Sequence, residues 1–148
     1  MAAIVIADSA CLIGLSKIKR LELLPALFGR VTLAPAVWNE VVVQGQGRSG
    51  STEIQNATWI DITQVRDMQA VDVLRQELGA GESQSMVLAQ ELQASLVILD
   101  DARARRKAKQ LGLAIAGTAA LLYRAQELAL IADAAAAIDE LRSVGFRV

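Results

Sequence analysis

The chain has no histidine and one cysteine, and these shortages exclude several kinds of catalytic site. Without histidine there is no His–Ser or His–Cys nucleophile pair, no histidine general base and no histidine ligand for zinc. The single thiol, Cys11, allows neither an internal disulfide nor a cysteine zinc cluster, and its expected role is packing. Carboxylates therefore face little competition from other chemistry in this sequence.

Aromatic residues and net charge are also scarce. Phe, Trp and Tyr make up 3% of the chain, which argues against base-stacking readers such as RRM domains and single-strand-binding OB folds. The formal net charge is −1, so no global basic field attracts nucleic acid. A nucleic-acid partner would have to be held by a local basic patch or a metal.

Long uncharged stretches are absent as well. The longest, Leu111–Tyr123, contains two glycines and is shorter than the roughly 20 residues needed to span a bilayer. The N-terminus is apolar but has no basic leader, and Asp8 interrupts it, which favours a strand over a signal peptide. We expect a protein of the reducing cytoplasm with no membrane segment.

What the chain does contain is enough hydrophobic sequence for one domain. It has 148 residues, 53% of them hydrophobic, which suits a single domain over 1–148. Strand-length apolar runs alternate with helical patterns, and this predicts an α/β fold with a parallel sheet of about four to five strands covered by helices. The predicted strands are Ala3–Ala7, Val31–Leu33, Trp59–Ile62, Leu96–Leu99, Leu113–Ile115 and a terminal Phe146–Val148. The predicted helices are Ala10–Ser16, Leu21–Phe28, Pro35–Val43, Val65–Leu78, Glu82–Gln93, Ala102–Leu111, a helix from Gly117 to Leu130, and Ala132–Ser143.

Two of the predicted strands end in carboxylates. The first is followed by Asp8, and Leu96–Leu99 is followed by Asp100 and Asp101. In an open parallel sheet the carboxyl ends of the strands form one edge, where ligand sites lie. Each acid could instead cap the helix that follows it, but two adjacent acids are more than one cap needs.

Two glutamates in predicted helices are further candidates. Glu82 stands in a first turn, where a negative charge suits the helix dipole, yet with Met86 and Ala89 it continues the stripe facing the sheet. Glu40 lies among apolar residues of the Pro35–Val43 helix, and a surface position is the alternative. If these acids converge with the strand-end aspartates, a cation must offset their repulsion. Oxygen ligands without His or Cys select Mg²⁺ or Mn²⁺.

Weaker signals have simpler explanations. Gly45–Gly50 matches G-x-G-x-x-G but follows a helix, so a mobile loop is expected rather than a dinucleotide site. Arg103, Arg105 and Arg106 begin a basic run, which is either a solvated helix face or a set of phosphate contacts beside a metal. Ser9 and Thr118 could bond a metal-bound water or cap helices.

The ordered set of motifs resembles the PIN domain, specifically small PIN-like proteins close to VapC-type toxins. The segments that carry the likeness are Ile4–Ser9, Ala34–Val41, Gly79–Ser83, Ile98–Arg105, and Leu111–Leu113 through Gly117–Thr118. The resemblance implies a three-layer α/β/α fold, a Mg²⁺- or Mn²⁺-dependent ribonuclease site, a homodimer and an antitoxin partner. It places the family's metal acids on Asp8, Glu40, Glu82 and the Asp100–Asp101 pair.

The chain departs from the family pattern at two acids. The third acid of the commoner toxins is an Asp inside a helix, whereas Glu82 stands at a helix start. A strand-end Thr-x-Asp motif is replaced by Leu99 and two aspartates, so either Asp100 or Asp101 binds the metal; the register favours Asp101.

Three functions are compatible with these observations. The first is a metal-dependent endoribonuclease whose catalytic acids are Asp8, Glu40, Glu82 and Asp101 or Asp100, acting on an RNA substrate as the toxin of a toxin–antitoxin pair. The second is a non-catalytic PIN-like module that binds a protein partner. The third is a phosphoacceptor receiver-like domain, although the acid pair comes late and no Lys follows the last short strand before Gly117.

Overall fold

Five short strands form one parallel sheet in the computed structural model, which describes residues 3–147. The strands are β1 (Val5–Ala7), β2 (Val31–Leu33), β3 (Ile60–Ile62), β4 (Leu96–Ile98) and β5 (Ile115–Ala116). Their order is β3-β2-β1-β4-β5, and every neighbouring pair is parallel. The predicted α/β class and parallel sheet are confirmed.

The helices cover both faces of this sheet. They are α1 (Ser9–Lys17), α2 (Leu23–Phe28), α3 (Pro35–Trp38), α4 (Ser51–Asn56), α5 (Met68–Leu74), α6 (Ala80–Leu92), α7 (Ala102–Gln110), α8 (Thr118–Glu127) and α9 (Ala134–Ser143). Successive strand residues point to opposite faces. All three residues of β1 are buried, so its two faces are both covered, as parallel sheets require.

The strand order creates a switch point between β1 and β4. The chain builds β1, β2 and β3 outward in one direction, then crosses to the other side of β1 for β4 and β5. Ala7 pairs with Ile98, so the two strands end side by side. Ligands of open α/β sheets bind in the crevice at such a point. The order differs from the 2-1-3-4-5 order that receiver domains share with flavodoxin, so the receiver-like hypothesis is wrong.

The predicted Pro35–Val43 helix changes its winding halfway. It is α-helical as far as Trp38, and Asn39–Val43 forms a π-helical turn. Such turns are rare and occur frequently at functional sites. The π turn carries Glu40.

Two predicted segments differ from the structure: one loop is a residue shorter, and one strand is absent from the described residues. The expected loop Gly45–Ser51 ends one residue early because Ser51 opens helix α4, whose N-cap Gly50 has φ +95°. The expected terminal strand is absent at Phe146 and Arg147. There the Phe146 N–H donates to the Leu141 carbonyl and closes α9 instead. Val148 lies outside the described residues.

The remaining differences are shifted element ends. The helix predicted over Val65–Leu78 is shorter, Met68–Leu74. The helix predicted from Glu82 begins at Ala80 with Gly79 as its N-cap, so Gly81 lies in its first turn. Cys11 is fully buried, as predicted, and burial raises the pKa of its thiol to about 12. No helix within residues 3–147 is long and apolar enough to cross a bilayer.

Candidate metal and nucleic-acid site

Asp8 lies at the switch point between β1 and β4. Its own N–H donates to the carbonyl of Ile98 at 3.2 Å, and the residue is only 5% exposed. It occupies the N-cap position of α1, but within the described chain its carboxylate makes no capping hydrogen bond. The capping role considered for Asp8 is therefore wrong. One carboxylate oxygen, Oδ1, is buried with no hydrogen-bond partner among residues 3–147.

The surroundings of Asp8 disfavour its negative charge. Burial raises the pKa of the Asp8 carboxyl to about 7, against an ordinary value of 3.8. The Ser9 backbone N–H opposes this shift, while the negative charges of Glu82, Glu40 and Asp100 add to it. These predicted site acids thus lie close enough to Asp8 for their charges to repel its own. A cation among them would remove the repulsion.

Glu40 is fixed by two donors from other elements. The Ser9 hydroxyl donates to Glu40 Oε2 at 2.7 Å, and the Gly81 N–H donates to Oε1 at 3.0 Å. The Glu40 side chain is partly buried and accepts two hydrogen bonds. The alternative that Glu40 is an ordinary surface residue is therefore wrong. Ser9 holds an acid rather than capping α1. The π turn of Asn39–Val43 brings this carboxylate to the start of α6.

Gly81 is a site residue that sequence reasoning did not identify. A Cβ atom built on it would lie 2.7 Å from Glu40 Oε1, closer than real contacts allow, and 3.0 Å from Oε2. Only glycine lets the helix backbone approach the carboxylate this closely. The signal available in the sequence was a glycine inside the first turn of a helix, next to an acid.

Glu82 follows Gly81. The sequence offered two roles for it, a charge that supports the start of a helix and an acid that faces the sheet, and the structure combines them. Its Oε1 accepts a 3.3 Å hydrogen bond from the Gly79 N–H, which serves the helix start. The pKa of Glu82 is raised, first by burial and then by the charges of Asp101 and Glu40, while Gly79 and Arg103 oppose the shift. The carboxylate therefore caps α6 and faces the acids at the same time.

The two adjacent aspartates differ in orientation and partners. Asp100 accepts two hydrogen bonds from Thr118, at 2.7 Å from the N–H and 2.6 Å from the hydroxyl, and Thr118 is fully buried. Asp101 is exposed and caps α7 through a 2.9 Å bond from the Ala104 N–H. Of the pair, only Asp100 contributes to the raised pKa of Asp8. Asp101 acts instead on Glu82.

These acids do not stand in a closed coordination shell. Among the described residues no three Asp, Glu or Cys side chains are placed to hold a metal ion together. The donor set nevertheless fits a hard divalent ion, because its ligands are all oxygens and Asp8 Oδ1 is buried without a partner. Rotation of side chains would be needed to complete the shell.

The basic residues of α7 divide between two surroundings. Arg103 and Arg106 line a cavity of about 410 Å³ with Glu82 and Asp101. Arg105 and Arg106 line a second one of about 390 Å³ with Asp100 and Lys109. Lys107 instead pairs with Glu77 at 3.5 Å. The basic run is therefore not only a solvated face, because three of its arginines border the acids.

Comparison with known proteins identifies the fold and the family. No curated protein sequence matches the chain significantly. A solved structure, a PilT N-terminus domain protein from the hyperthermophilic archaeon Sulfolobus solfataricus, is similar with a TM-score of 0.57 and 18% identity over 84% of this chain and 94% of that one. At this identity the similarity shows the fold alone. A family model described as a PIN domain matches residues 4–148. The match spans nearly the whole sequence, and the chain belongs to the PIN-domain family, as its ordered motifs predicted.

Proposed function

We propose that the chain is a Mg²⁺- or Mn²⁺-dependent endoribonuclease. PIN domains generally are nucleases, and they generally use divalent metal ions. The observation that carries the proposal is Asp8, whose buried Oδ1 has no partner in the described chain while neighbouring acids add to its raised pKa. A buried carboxylate in this position is costly for a protein unless a cation joins it.

Asp8, Glu82 and Asp100 or Asp101 would hold the ion directly, with Glu40 bound through water or at a second position. When bound, a divalent ion supplies activation of a water molecule and neutralises charge on a phosphodiester. The chain's own residues prepare this arrangement. Ser9 and Gly81 orient Glu40, and Thr118 orients Asp100. The geometry around Asp8 favours Asp100 as the inner aspartate of the pair.

The substrate side of the proposal rests on the arginines beside the acids. Arg103, Arg105 and Arg106 border the two cavities next to Glu82, Asp101 and Asp100. Guanidinium groups suit phosphate oxygens, so these side chains would grip the phosphates that flank the cleaved bond. The choice of RNA, a homodimer, and a toxin role blocked by an antitoxin follow from the resemblance to VapC-type proteins.

Cleavage of RNA with and without metal tests the proposal. A labelled RNA should be cleaved internally by the wild type with Mg²⁺ or Mn²⁺, and not in the presence of EDTA. Asp8→Asn should lower the rate at least a hundredfold, since it removes the central carboxylate. Asp133→Asn, which makes the same change at an exposed helix cap, should leave the rate unchanged. Equal activity of Asp8→Asn and wild type would rule out the assignment.

A non-catalytic module that binds a protein partner is the second candidate. It is favoured by the open arrangement of the acids in the described residues and by a pKa near 7, which lets Asp8 stay protonated without metal. Calorimetric titration with Mn²⁺ separates the candidates. Absence of binding, together with a stable protein partner in a pull-down, would support the module. Micromolar Mn²⁺ binding lost in Asp8→Asn would support the nuclease.

A further inference from the structure

The segment that follows α9 forms part of the acidic cleft. Gly145, Phe146 and Arg147 line a cavity of about 490 Å³ together with Asp100 and Asp101, and with Ala10 and Ala102. We propose that this segment is a wall of the RNA-binding cleft and that Arg147 contacts a substrate phosphate beside the Asp100–Asp101 pair. The inference rests on the proposed nuclease function and adds a substrate-binding residue to it.

The backbone of this segment is fixed by a turn at the end of α9. Gly145 adopts φ +91°, a left-handed conformation that glycine accepts at no steric cost. The Gly145 N–H donates to the backbone carbonyl of Arg142 at 3.1 Å, and the Phe146 N–H donates to the carbonyl of Leu141 at 2.9 Å. The chain therefore leaves the helix axis at once and turns toward α1. The residue that follows Phe146 is delivered to the cavity by this turn.

Phe146 is seated on Gly14 of α1. A Cβ atom on Gly14 would lie 2.7 Å from both Cδ2 and Cε2 of the ring, so the ring packs directly on the glycine backbone. Gly14 is buried and lies in the interior of a helix, where alanine would be the better helix former. A glycine at this position is thus explained by the contact with Phe146. The contact between Phe146 and Gly14 holds the segment against α1, the helix that begins next to Asp8.

The charge of Arg147 is available for an anion. Within the described residues no salt bridge joins Arg147 to an acid, whereas Arg124, Arg142 and Lys107 each pair with a neighbouring glutamate or aspartate. The acids that share its cavity have other partners, Thr118 for Asp100 and the Ala104 N–H for Asp101. A guanidinium that faces a cleft without a carboxylate partner is suited to a phosphate.

Arg147 also completes a pattern of charge around the aspartates. The arginines of α7 border Asp100 and Asp101 in two cavities, and Arg147 borders the same pair in a third. Cations in each of these cavities, with the acids between them, would place successive backbone phosphates of one strand around the reacting bond. The acids alone would repel the same strand.

Salt-dependent binding of RNA tests the contact. A fluorescein-labelled single-stranded RNA oligonucleotide is titrated with the full chain in Ca²⁺ at several KCl concentrations, and cleavage is assayed in Mn²⁺. Arg147→Ala should bind about tenfold more weakly. The slope of log K against log salt should lose about 0.7, the value for one phosphate contact on a single strand. Arg147→Lys should keep most of the slope. Arg142→Ala, which removes the same charge beside Asp139, should match the wild type.

A second variant separates position from charge. Gly14→Ala leaves every charge in place but pushes the Phe146 ring from its seat, and should weaken binding in the same direction as Arg147→Ala. Wild-type cleavage and binding combined with an Arg147→Ala variant that behaves like Arg142→Ala would overturn the contact and leave the nuclease assignment intact. A wild type that neither binds nor cleaves RNA would overturn both.

Discussion

At the scale of single residues, the site is a set of carboxylates with unequal support. Glu40 and Asp100 each accept two hydrogen bonds from residues far away in the chain, and Asp101 and Glu82 each cap a helix. Asp8 is the most buried of the five and has an oxygen without a partner among residues 3–147. This asymmetry is expected of a cluster in which one acid is completed only by a ligand.

The first prediction concerns the cost of Asp8 to folding. The pKa of Asp8 is about 7 in the folded chain, against an ordinary value of 3.8. Between these two pH values the carboxyl is protonated in the folded state and ionised in the unfolded state. Stability contributed by this group is full below about pH 4 and falls as pH rises to about 7. In metal-free buffer at pH 8, Asp8→Asn should therefore raise the free energy of unfolding by up to about 4 kcal/mol.

Urea denaturation at pH 4.5 and pH 8 measures this effect. The gain from Asp8→Asn should be small at the lower pH and largest at the higher one. Asp133→Asn is the control, because the asparagine keeps the cap of α9 and the site is exposed; its effect should stay within about 0.5 kcal/mol at both pH values. A destabilised Asp8→Asn variant at pH 8 would show that the charged carboxylate is supported in the folded protein without metal.

At the scale of elements, the sequence allowed the strands to be placed well but not the contacts between helices. The apolar runs ending in Asp8 and Asp100 are local signals, and the sheet joins them as predicted. The bonds from Gly81 to Glu40 and from Thr118 to Asp100 span 41 and 18 positions. Nothing in the local pattern identifies such pairs. The π turn was missed for the same reason, because residues Asn39–Val43 carry an ordinary helical pattern.

The C-terminal segment shows how a local pattern can mislead. Phe146-Arg147-Val148 alternates as a strand does, yet the sheet is bounded by β3 and β5 in the described residues. Phe146 instead packs on Gly14, more than a hundred residues earlier in the chain. The packing of the ring on Gly14 is a tertiary contact, and period-two patterning carries no information about it.

The second prediction concerns the approach of α6 to the π turn. Gly81→Ala places a methyl group 2.7 Å from Glu40 Oε1 and should displace that carboxylate from the site. Because the obstructing atoms are the end of a flexible side chain, the protein should still fold, and the helix itself gains from alanine. We expect the RNA cleavage rate to fall at least tenfold while the melting temperature changes by only a few degrees.

Gly79→Ala is the matched control, two residues earlier at the start of the same helix. A Cβ there would lie 3.7 Å from Glu82 Oε1, an ordinary contact. Its cost should be confined to the weaker N-cap, about 1 kcal/mol of stability at most, with cleavage retained. If the two variants lose activity equally, the close approach of Gly81 to Glu40 has no special role in the site.

At the scale of the whole molecule, the fold sets where the site lies and the charge pattern sets what can bind there. The strand order puts the ends of β1 and β4 together at the switch point. The acids that lie there come from the starts of α1, α6 and α7 and from the π turn. Arginines of α7 and the segment after α9 border the same place. A net charge of −1 thus conceals an acidic centre with a basic border.

The last prediction concerns the effect of a bound metal ion at this acidic centre on the stability of the folded chain. An ion that binds only the folded state stabilises it by about 2.7 kcal/mol at a hundred times its dissociation constant. In a domain of this size that corresponds to a rise in melting temperature of about 5–10 °C. Mn²⁺ should produce this rise in the wild type at pH 7.5 and little or none in Asp8→Asn, with NaCl of equal ionic strength as the control for screening. Wild type should then be less stable than Asp8→Asn without Mn²⁺ and closer to it, or above it, with Mn²⁺. Equal shifts in both proteins would place the bound ion elsewhere on the surface, and the raised pKa of Asp8 would then have no connection with metal binding.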